Sequence, residues 1–565
     1  MLRKKMQRHI IGSPSLCVIC AITLLALVPF LTLYNLTKGS ESDKQLRDVE
    51  ESMIQPRNLN GNDFDNNKVN DEKKRNLEQE KVAEQQKEQH EQQHQPQKEH
   101  EPLNIVLLYA DDWSFRTLGA MERALRHTPY KVPSFVKTPN IDRLASQGVL
   151  FTHNAVTTST CSVSRATMYT GQYASVHKSP LPGDTAMFAD GKWNETLFAL
   201  LKDAGDYHNG MIGKWHHAAP PDVSHTFATW NAYFGRHIVD WGGERVHVTD
   251  LNERHAIEFL ENRPRDKKFA MLVSMFAIHA EDGNPVQYIP QNRTSHLYEN
   301  ETVPVPKTAT EAHFQAMPPF LQRPQNIARD RWLYRYSTPE MYQRMQKKIY
   351  RMVTEVDTAV GNILDKLKEQ DLLNNTMIIF TADNGNLYGE HGMCEKWYPY
   401  EESLRVPLVI YDPRMPSHMV NTTNDEFTLN IDLAPTMLSA ARIPIPHVMQ
   451  GRDMAQLYLD QRSSSQSQSP SSSWRKEFYY EWFFGDPVGL PQSYAYIRKD
   501  VKYIIYPEHD YEELFLLRND PYEERNIFNN NNKTLVPLQT TDELLGEVKG
   551  RFEIMKAAAV GGAKI

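Results

Sequence analysis

The chain has 565 residues, of which 40% are apolar and 24% charged, with a formal net charge of −8 at pH 7. That length exceeds what one hydrophobic core usually covers, so a large domain with added parts is predicted. The acidic balance excludes the basic footprint of a nucleic-acid binder, and four cysteines in so long a chain exclude a disulfide-built scaffold.

Residues 10–37 carry no charge, and Leu16 to Leu33 is densely apolar. A bilayer core needs roughly 20 such residues, and Pro29 would kink a helix there without preventing insertion. Arg3, Lys4, Lys5 and Arg8 precede the segment, whereas Glu41 and Asp43 follow it. This bias predicts a type II signal anchor over 10–37, with residues 1–9 cytoplasmic and the remainder lumenal or extracellular. The alternative is a signal peptide cleaved near residues 36–42, which would make the protein secreted. Residues 38–101 are polar, with a Gln/Glu/Lys/His tract from Glu78 to His100, and read as a disordered stem. Cys17 and Cys20 lie in the apolar segment, so only Cys161 and Cys394 remain beyond it. Asn194, Asn292, Asn300, Asn374, Asn421 and Asn532 begin Asn-x-Ser/Thr triplets, which are acceptors in a eukaryotic lumen and also common by chance.

Ordered sequence begins at Leu103. The apolar run Asn104 to Tyr109 suits a buried parallel strand and ends in Asp111-Asp112. Thr138 and Pro139 open a helix as cap and first residue, with Ile141, Leu144 and Ala145 on one face. Thr196 to Ala204 reads as a second helix, closed by Gly205. Phe269 to Phe276 is a strand-length run that delivers His279. Residues 283–339 are proline-rich and without a period, as a surface insertion or a substrate-side loop would be. Val353, Val356, Val360, Ile363, Leu364 and Leu367 mark a long amphipathic helix. Thr376 to Ala382 is the next strand and delivers Asp383-Asn384-Gly385.

This alternation predicts an α/β fold over residues 102–461, with a large, mostly parallel central sheet flanked by helices. Residues 462–473 are Ser/Gln-rich and form a loop. Beyond it, Phe478–Trp482, Tyr494–Ile497 and Tyr503–Tyr506 predict strands of a small C-terminal α+β subdomain over 474–565.

Asp111, Asp112, His279, Asp383 and Asn384 all follow predicted strands, where open α/β sheets bind ligands. The two aspartate pieces offer only oxygen, which suits calcium or magnesium better than zinc. Each motif alone has a plainer reading: Asp-Asp as a helix cap, and Asp-Asn-Gly as a turn.

The run Cys161-Ser162-Val163-Ser164-Arg165-Ala166-Thr167-Met168-Tyr169-Thr170-Gly171 resembles the signature of type I, formylglycine-dependent sulfatases of the alkaline phosphatase superfamily. Asn104 to Trp113 is similar to that family's opening strand with its metal-binding aspartates, and Lys137 to Ala145 to its first helix. Gly210-Met211-Ile212-Gly213-Lys214-Trp215-His216 resembles its second signature. Thr381 to Gly385, His391-Gly392, Lys396, Glu401 to Leu408 and Asn519 to Asn526 complete the likeness. Two departures stand out. Val163 occupies a place where proline or alanine is usual, and His279 lacks a preceding proline.

The resemblance implies that Cys161 becomes formylglycine through a formylglycine-generating enzyme. It implies one Ca2+ per subunit, with Mg2+ as the alternative, held by Asp111, Asp112, residue 161, Asp383 and Asn384. Arg165, Lys214 and Lys396 would supply positive charge to a sulfate ester, and Asp383 would accept a proton during attack. His279, assisted by Lys396, would protonate the leaving alcohol, leaving a covalent sulfate on residue 161. His216 would take the last proton as sulfate departs. The substrate implied is a sulfated carbohydrate or another sulfate ester. Two rivals stay open: a phosphate or phosphonate ester hydrolase on the same scaffold, and a silent protein that binds sulfated glycans.

Overall fold

The computed structural model describes residues 101–179, 186–217, 225–459, 474–485, 489–528 and 538–564. The tail, anchor and stem expected over 1–9, 10–37 and 38–101 fall, but for Glu101, outside these residues, as does the whole of the 462–473 loop. The type II membrane arrangement is corrected: among the described residues no helix is long and apolar enough to cross a membrane. The two longest helices show why. Pro339–Glu369 buries one stripe and keeps Lys347, Arg351, Asp365 and Lys368 along its length, and Leu538–Val560 carries Glu543, Glu547, Lys549 and Arg551. Such charges are costly in a bilayer. The membrane placement and the membrane partner are withdrawn.

Sixteen strands are described: β1 (Asn104–Ala110), β2 (Val149–Ala155), β3 (His208–Lys214), β4 (Thr229–Tyr233), β5 (Ile238–Trp241), β6 (Glu244–His247), β7 (Phe269–Ser274), β8 (Thr376–Ala382), β9 (Leu387–Tyr388), β10 (Cys394–Glu395), β11 (Leu408–Tyr411), β12 (Thr422–Leu429), β13 (Glu477–Trp482), β14 (Ser493–Arg498), β15 (Val501–Tyr506) and β16 (Tyr511–Phe515). Eight form the main sheet in the order β12-β2-β11-β8-β1-β7-β3-β4. β11 alone runs antiparallel to its neighbours, so the mostly parallel expectation holds. β1 lies between β7 and β8, which pair with it in parallel as Tyr109↔Ser274 and Tyr109↔Thr381. Chain order reverses on either side of β1, the point where such sheets open a crevice beyond their carboxyl ends.

Alternate residues of β1 serve two cores. Val106, Leu108 and Ala110 pack with Val353, Val356 and Val360 of the long helix, whereas Ile105, Leu107 and Tyr109 face Ala166 and Met437. A strand covered on both faces reads as a continuous apolar run, which is why this one was legible. The helix Pro139–Gln147 is capped differently from the prediction. Thr138 makes no capping bond. The Asp357 carboxylate, from the long helix, accepts from the Asn140 and Ile141 amides at 3.0 and 2.8 Å. That places negative charge at the positive end of the helix.

β13 to β16 form a four-stranded antiparallel sheet, covered by Val548, Phe552, Met555 and Ala559 of the C-terminal helix. Its first strand reaches into the main domain: the Glu481 amide donates to Thr157 O at 3.0 Å, and Tyr480 Oη donates to Trp397 O at 2.6 Å.

Candidate active site

The carboxyl ends of β1, β3, β7 and β8 and the start of the helix Cys161–Thr170 meet in one hollow. Asp111 and Asp112 follow β1 directly. Asp112 has φ 55°, a left-handed conformation that Asp tolerates, and its amide donates to Asp383 Oδ1 at 3.1 Å. Lys214 ends β3, and His279 sits in a turn five residues beyond β7, its amide donating to Phe276 O at 2.9 Å. Cys161 is the first residue of its helix, after an extended Thr160. The loop before it is held by Thr158 Oγ1 donating to Glu481 O and Ser159 Oγ donating to Ser403 O, at 2.9 and 2.8 Å.

Asp111, Asp112 and Asp383 meet Arg165, Lys214 and Lys396, and all six are buried. Lys214 pairs with Asp111, Lys396 with Asp112, and Arg165 with Asp383 at 2.7 Å. Arg165 is held further by Ser274 Oγ and by the Tyr109 ring, 5.2 Å from its guanidinium carbon. Buried charges persist only when paired, and removing one partner costs about 3–5 kcal/mol. Burial pushes the Asp111 carboxyl up, but the Lys214, His279 and Arg165 charges outweigh it and hold the group well below the ordinary carboxylate range. Asp383 goes the other way: burial and the neighbouring Asp111 raise it to about 7 against Arg165.

Lys396 Nζ also donates to Cys161 Sγ at 3.1 Å, and the thiol faces Asp112 Oδ1 at 3.8 Å. Burial, with the Asp111 charge, raises the thiol well above its usual range despite Lys214 and Lys396. His279 keeps 11% of its side chain exposed and points Nε2 at Asp112 Oδ2, 3.5 Å away, while Nδ1 donates to Ala280 O. His216 has φ 65° and a buried Nδ1 without a partner; burial, with Lys214, lowers its basicity far below that of free histidine.

The donor set fits a hard divalent cation. Ligand atoms of Asp111, Asp112, Cys161 and His279 lie within 4.8 Å of one another. Asp111 Oδ1 and Asn384 Oδ1 are buried and have no hydrogen-bond partner, a state that costs stability unless something else binds there. Asn384 Nδ2 donates to Asp112 Oδ1 at 2.6 Å, so it touches the cluster through its amide nitrogen.

All ten expected site residues converge here. Asn386, whose Nδ2 donates to Asp112 Oδ2 at 3.4 Å, and Tyr388, whose Oη donates to Asp112 O at 3.3 Å, were not singled out. The run Asp383-Asn384-Gly385-Asn386 carried a signal for the first; nothing in the sequence marked the second. His217 packs against Tyr169 and Trp215, and His391 stacks on Tyr400 at 4.6 Å, so both support the fold from outside the hollow.

The Lys396 loop has its own frame. Glu395 and Trp397, on either side of the lysine, have φ 73° and 82°, conformations that cost of order 1–3 kcal/mol each. Both Arg331 and Arg335 pair with the buried Glu395 carboxylate, and the same two arginines reach Asp282 at 2.8 and 3.1 Å. Asp282 belongs to the loop after His279. The helix Ile327–Arg335 thus ties the His279 and Lys396 loops together, within the stretch expected to form a surface insertion or a substrate-side loop. Above the hollow opens a cleft of about 800 Å³, lined by Cys161, Lys214, His216, Phe234, His279 and Lys396 among others.

Fold and site together define a hydrolase of the alkaline phosphatase superfamily, of the type I sulfatase class. Residues 103–443 match the family model described as Sulfatase, and residues 389–549 match that of the N-sulphoglucosamine sulphohydrolase C-terminal region. The chain belongs to the sulfatase family. It is 26% identical over 495 residues to the N-acetylglucosamine-6-O-sulfatase of Bacteroides thetaiotaomicron, covering 75% of this chain and 82% of the relative. It is also 26% identical to the arylsulfatase of Clostridium perfringens, over 75% and 90% of the two chains. A solved structure of a protein with its substrate D-glucosamine-2-N,6-O-disulfate superposes with a TM-score of 0.62 at 24% identity, over 81% of this chain and 98% of that one.

Proposed function

We propose that the protein hydrolyses sulfate esters on glycans, with residue 161 as reacting centre after conversion to formylglycine and with calcium held by Asp111, Asp112, Asp383 and Asn384. One observation carries this reading: Cys161, at a helix start, faces a buried set of three carboxylates and three cations, where Asp111 Oδ1 and the adjoining Asn384 Oδ1 lack partners. As a thiol, position 161 is poorly suited to attack, because burial disfavours the thiolate. Formylglycine supplies a hydrated aldehyde as nucleophile, and the dication supplies charge that favours its deprotonation.

The remaining roles belong to side chains already present. Lys214, Arg165 and Lys396 are ready to bind the anionic ester oxygens without reorganising, since each is locked by a carboxylate. A carbonyl oxygen accepts from His279 Nδ1, so Nε2 is the nitrogen that carries or releases a proton toward the leaving alcohol, with Lys396 beside it. His216, whose Nδ1 has no partner, would take the second proton only transiently, since burial and Lys214 disfavour its charged form. The names of the relatives point to sulfated glucosamine as the first sugar to try.

The test is mass spectrometry of the peptide containing residue 161, with parallel turnover of 4-nitrocatechol sulfate and 4-nitrophenyl phosphate. A carbonyl at 161 and sulfate turnover that is lost in Cys161→Ala support the proposal. Preference for phosphate would make the chain a phosphoryl hydrolase. An unmodified thiol with glycan binding but no turnover would make it a silent binder.

A further inference from the structure

The cleft has a second feature that the sulfate chemistry leaves unused. β4 is the edge strand of the main sheet, parallel to β3, so its carboxyl end opens on the same side as Lys214 and His216. The residues that follow, Phe234, Gly235 and Arg236, line the cleft beside Cys161 and His279. Phe234 is 72% exposed, and its ring stands edge-on to His216 with centroids 5.9 Å apart. An isolated exposed apolar residue needs no explanation; one at the mouth of a catalytic cleft, over a residue of the site, is differently placed.

The segment is fixed rather than loosely draped. Trp215 N donates to Tyr233 O at 3.4 Å, and His237 N donates to Glu281 Oε2 at 3.2 Å, so both flanks are tied to neighbouring site loops. Between them, a Cβ at Gly235 would stand 2.5 Å from Phe276, which no side chain tolerates. Phe276 in turn packs on His279 at 5.3 Å and lies 5.3 Å below Lys214 Nζ. The glycine therefore lets the chain press against the floor of the site and hold its neighbours above it.

Arg236 differs from the other cations of the cleft. Lys214 pairs with Asp111, Lys396 with Asp112, and Arg331 with Asp282 and Glu395. Arg236 is exposed and has no acidic partner among the described residues. An arginine offers a planar fork of donors suited to sulfate or carboxylate.

We propose that Phe234 and Arg236 form a sugar subsite at the cleft mouth. Phe234 stacks on the pyranose that carries the scissile ester, and Arg236 binds a second anionic group of the same glycan. The inference rests on the reading of the protein as a glycan sulfatase and narrows it to substrates that carry more than one charge.

The probes are glucosamine 6-sulfate and glucosamine N,6-disulfate, with kcat and KM measured separately for each. Arg236→Gln is expected to lower kcat/KM for the disulfated sugar about tenfold more than for the monosulfated one, through KM. Phe234→Ala is expected to raise KM for both sugars about tenfold, and Phe234→Trp to restore it. Equal effects of Arg236→Gln on the two sugars, or none, would overturn the anion role; no effect of Phe234→Ala would overturn the stacking role. Calorimetric binding of the disulfated sugar to Cys161→Ala, with and without Arg236→Gln, separates this idea from the catalytic one. A binding difference without wild-type turnover keeps the subsite and sinks the sulfatase reading on glycans. Wild-type turnover without a binding difference does the reverse.

Discussion

Lys214 and Lys396 reach the same hollow by opposite routes. Lys214 ends a strand paired on both sides with β4 and β7; the one left-handed residue beside it is a glycine, Gly213 at φ 99°, and its carbonyl accepts from Arg165 and from Ser274 Oγ within the same hollow. Lys396 sits between two non-glycine residues with positive φ, on a loop held by Arg331, Arg335 and the C-terminal sheet. Two cations with similar roles thus differ in what maintains them: a sheet ladder in one case, and a set of buried charges plus a distant strand in the other. Perturbations of the frame should therefore fall on Lys396 and leave Lys214 untouched.

The largest effect tests what the two lysines share. Chelation of the proposed dication should abolish sulfate turnover altogether, with recovery on adding calcium but not zinc, as followed with 4-nitrocatechol sulfate. Next, Lys214→Ala and Lys396→Ala should each lower kcat by about 10²–10³-fold, the usual loss for one preorganised charge at a reacting centre. A markedly smaller loss for either would break the symmetry assumed between them.

The frame itself comes third. Glu395→Gln removes the charge shared by Arg331 and Arg335, and should cost about 3–5 kcal/mol of stability in thermal unfolding. A lowered kcat in the folded variant at low temperature would mark a loss of Lys396 placement beyond simple destabilisation.

A pH effect of moderate size follows from β13. Burial raises the Glu481 carboxyl from 4.5 to about 7. Between those values the folded chain binds a proton that the unfolded chain has lost, so stability falls as pH rises through that window. Glu481→Gln should flatten this slope in denaturant titrations at pH 5 and pH 8. The smallest effect expected is that of Tyr480→Phe, which removes the bond to Trp397 O and should cost about 1 kcal/mol. Unchanged kcat in that variant would show that the loop keeps Lys396 in place without this bond, through Arg331, Arg335 and the Trp397 amide on Ser159 O.

The same contrast explains how far sequence reasoning could go. β1 and β8 are continuous apolar runs ending in acids, and the Cys161 helix carries a motif that is local in the chain, so these pieces were legible. The helix Ile327–Arg335 was not, because what it buries beside the site is charged: Arg335 is fully buried, and its partners lie 53 and 60 residues away. No hydrophobic period records such a pairing. Nor could periodicity show that Asp357, more than 200 residues downstream, caps the helix at Pro139. The C-terminal strands were anticipated from their aromatic alternation, but their grip on Thr157 and Trp397 was not, since a backbone bond leaves no trace in residue type.

That grip also sets a clock. Cys161 is 2% exposed in the finished fold, and the loop before it is pinned by Glu481, which emerges from the ribosome some 320 residues later. An enzyme converting this thiol, as proposed above, would have its window during synthesis, before β13 locks the loop. A chain that folds first would keep its sulfur sealed inside.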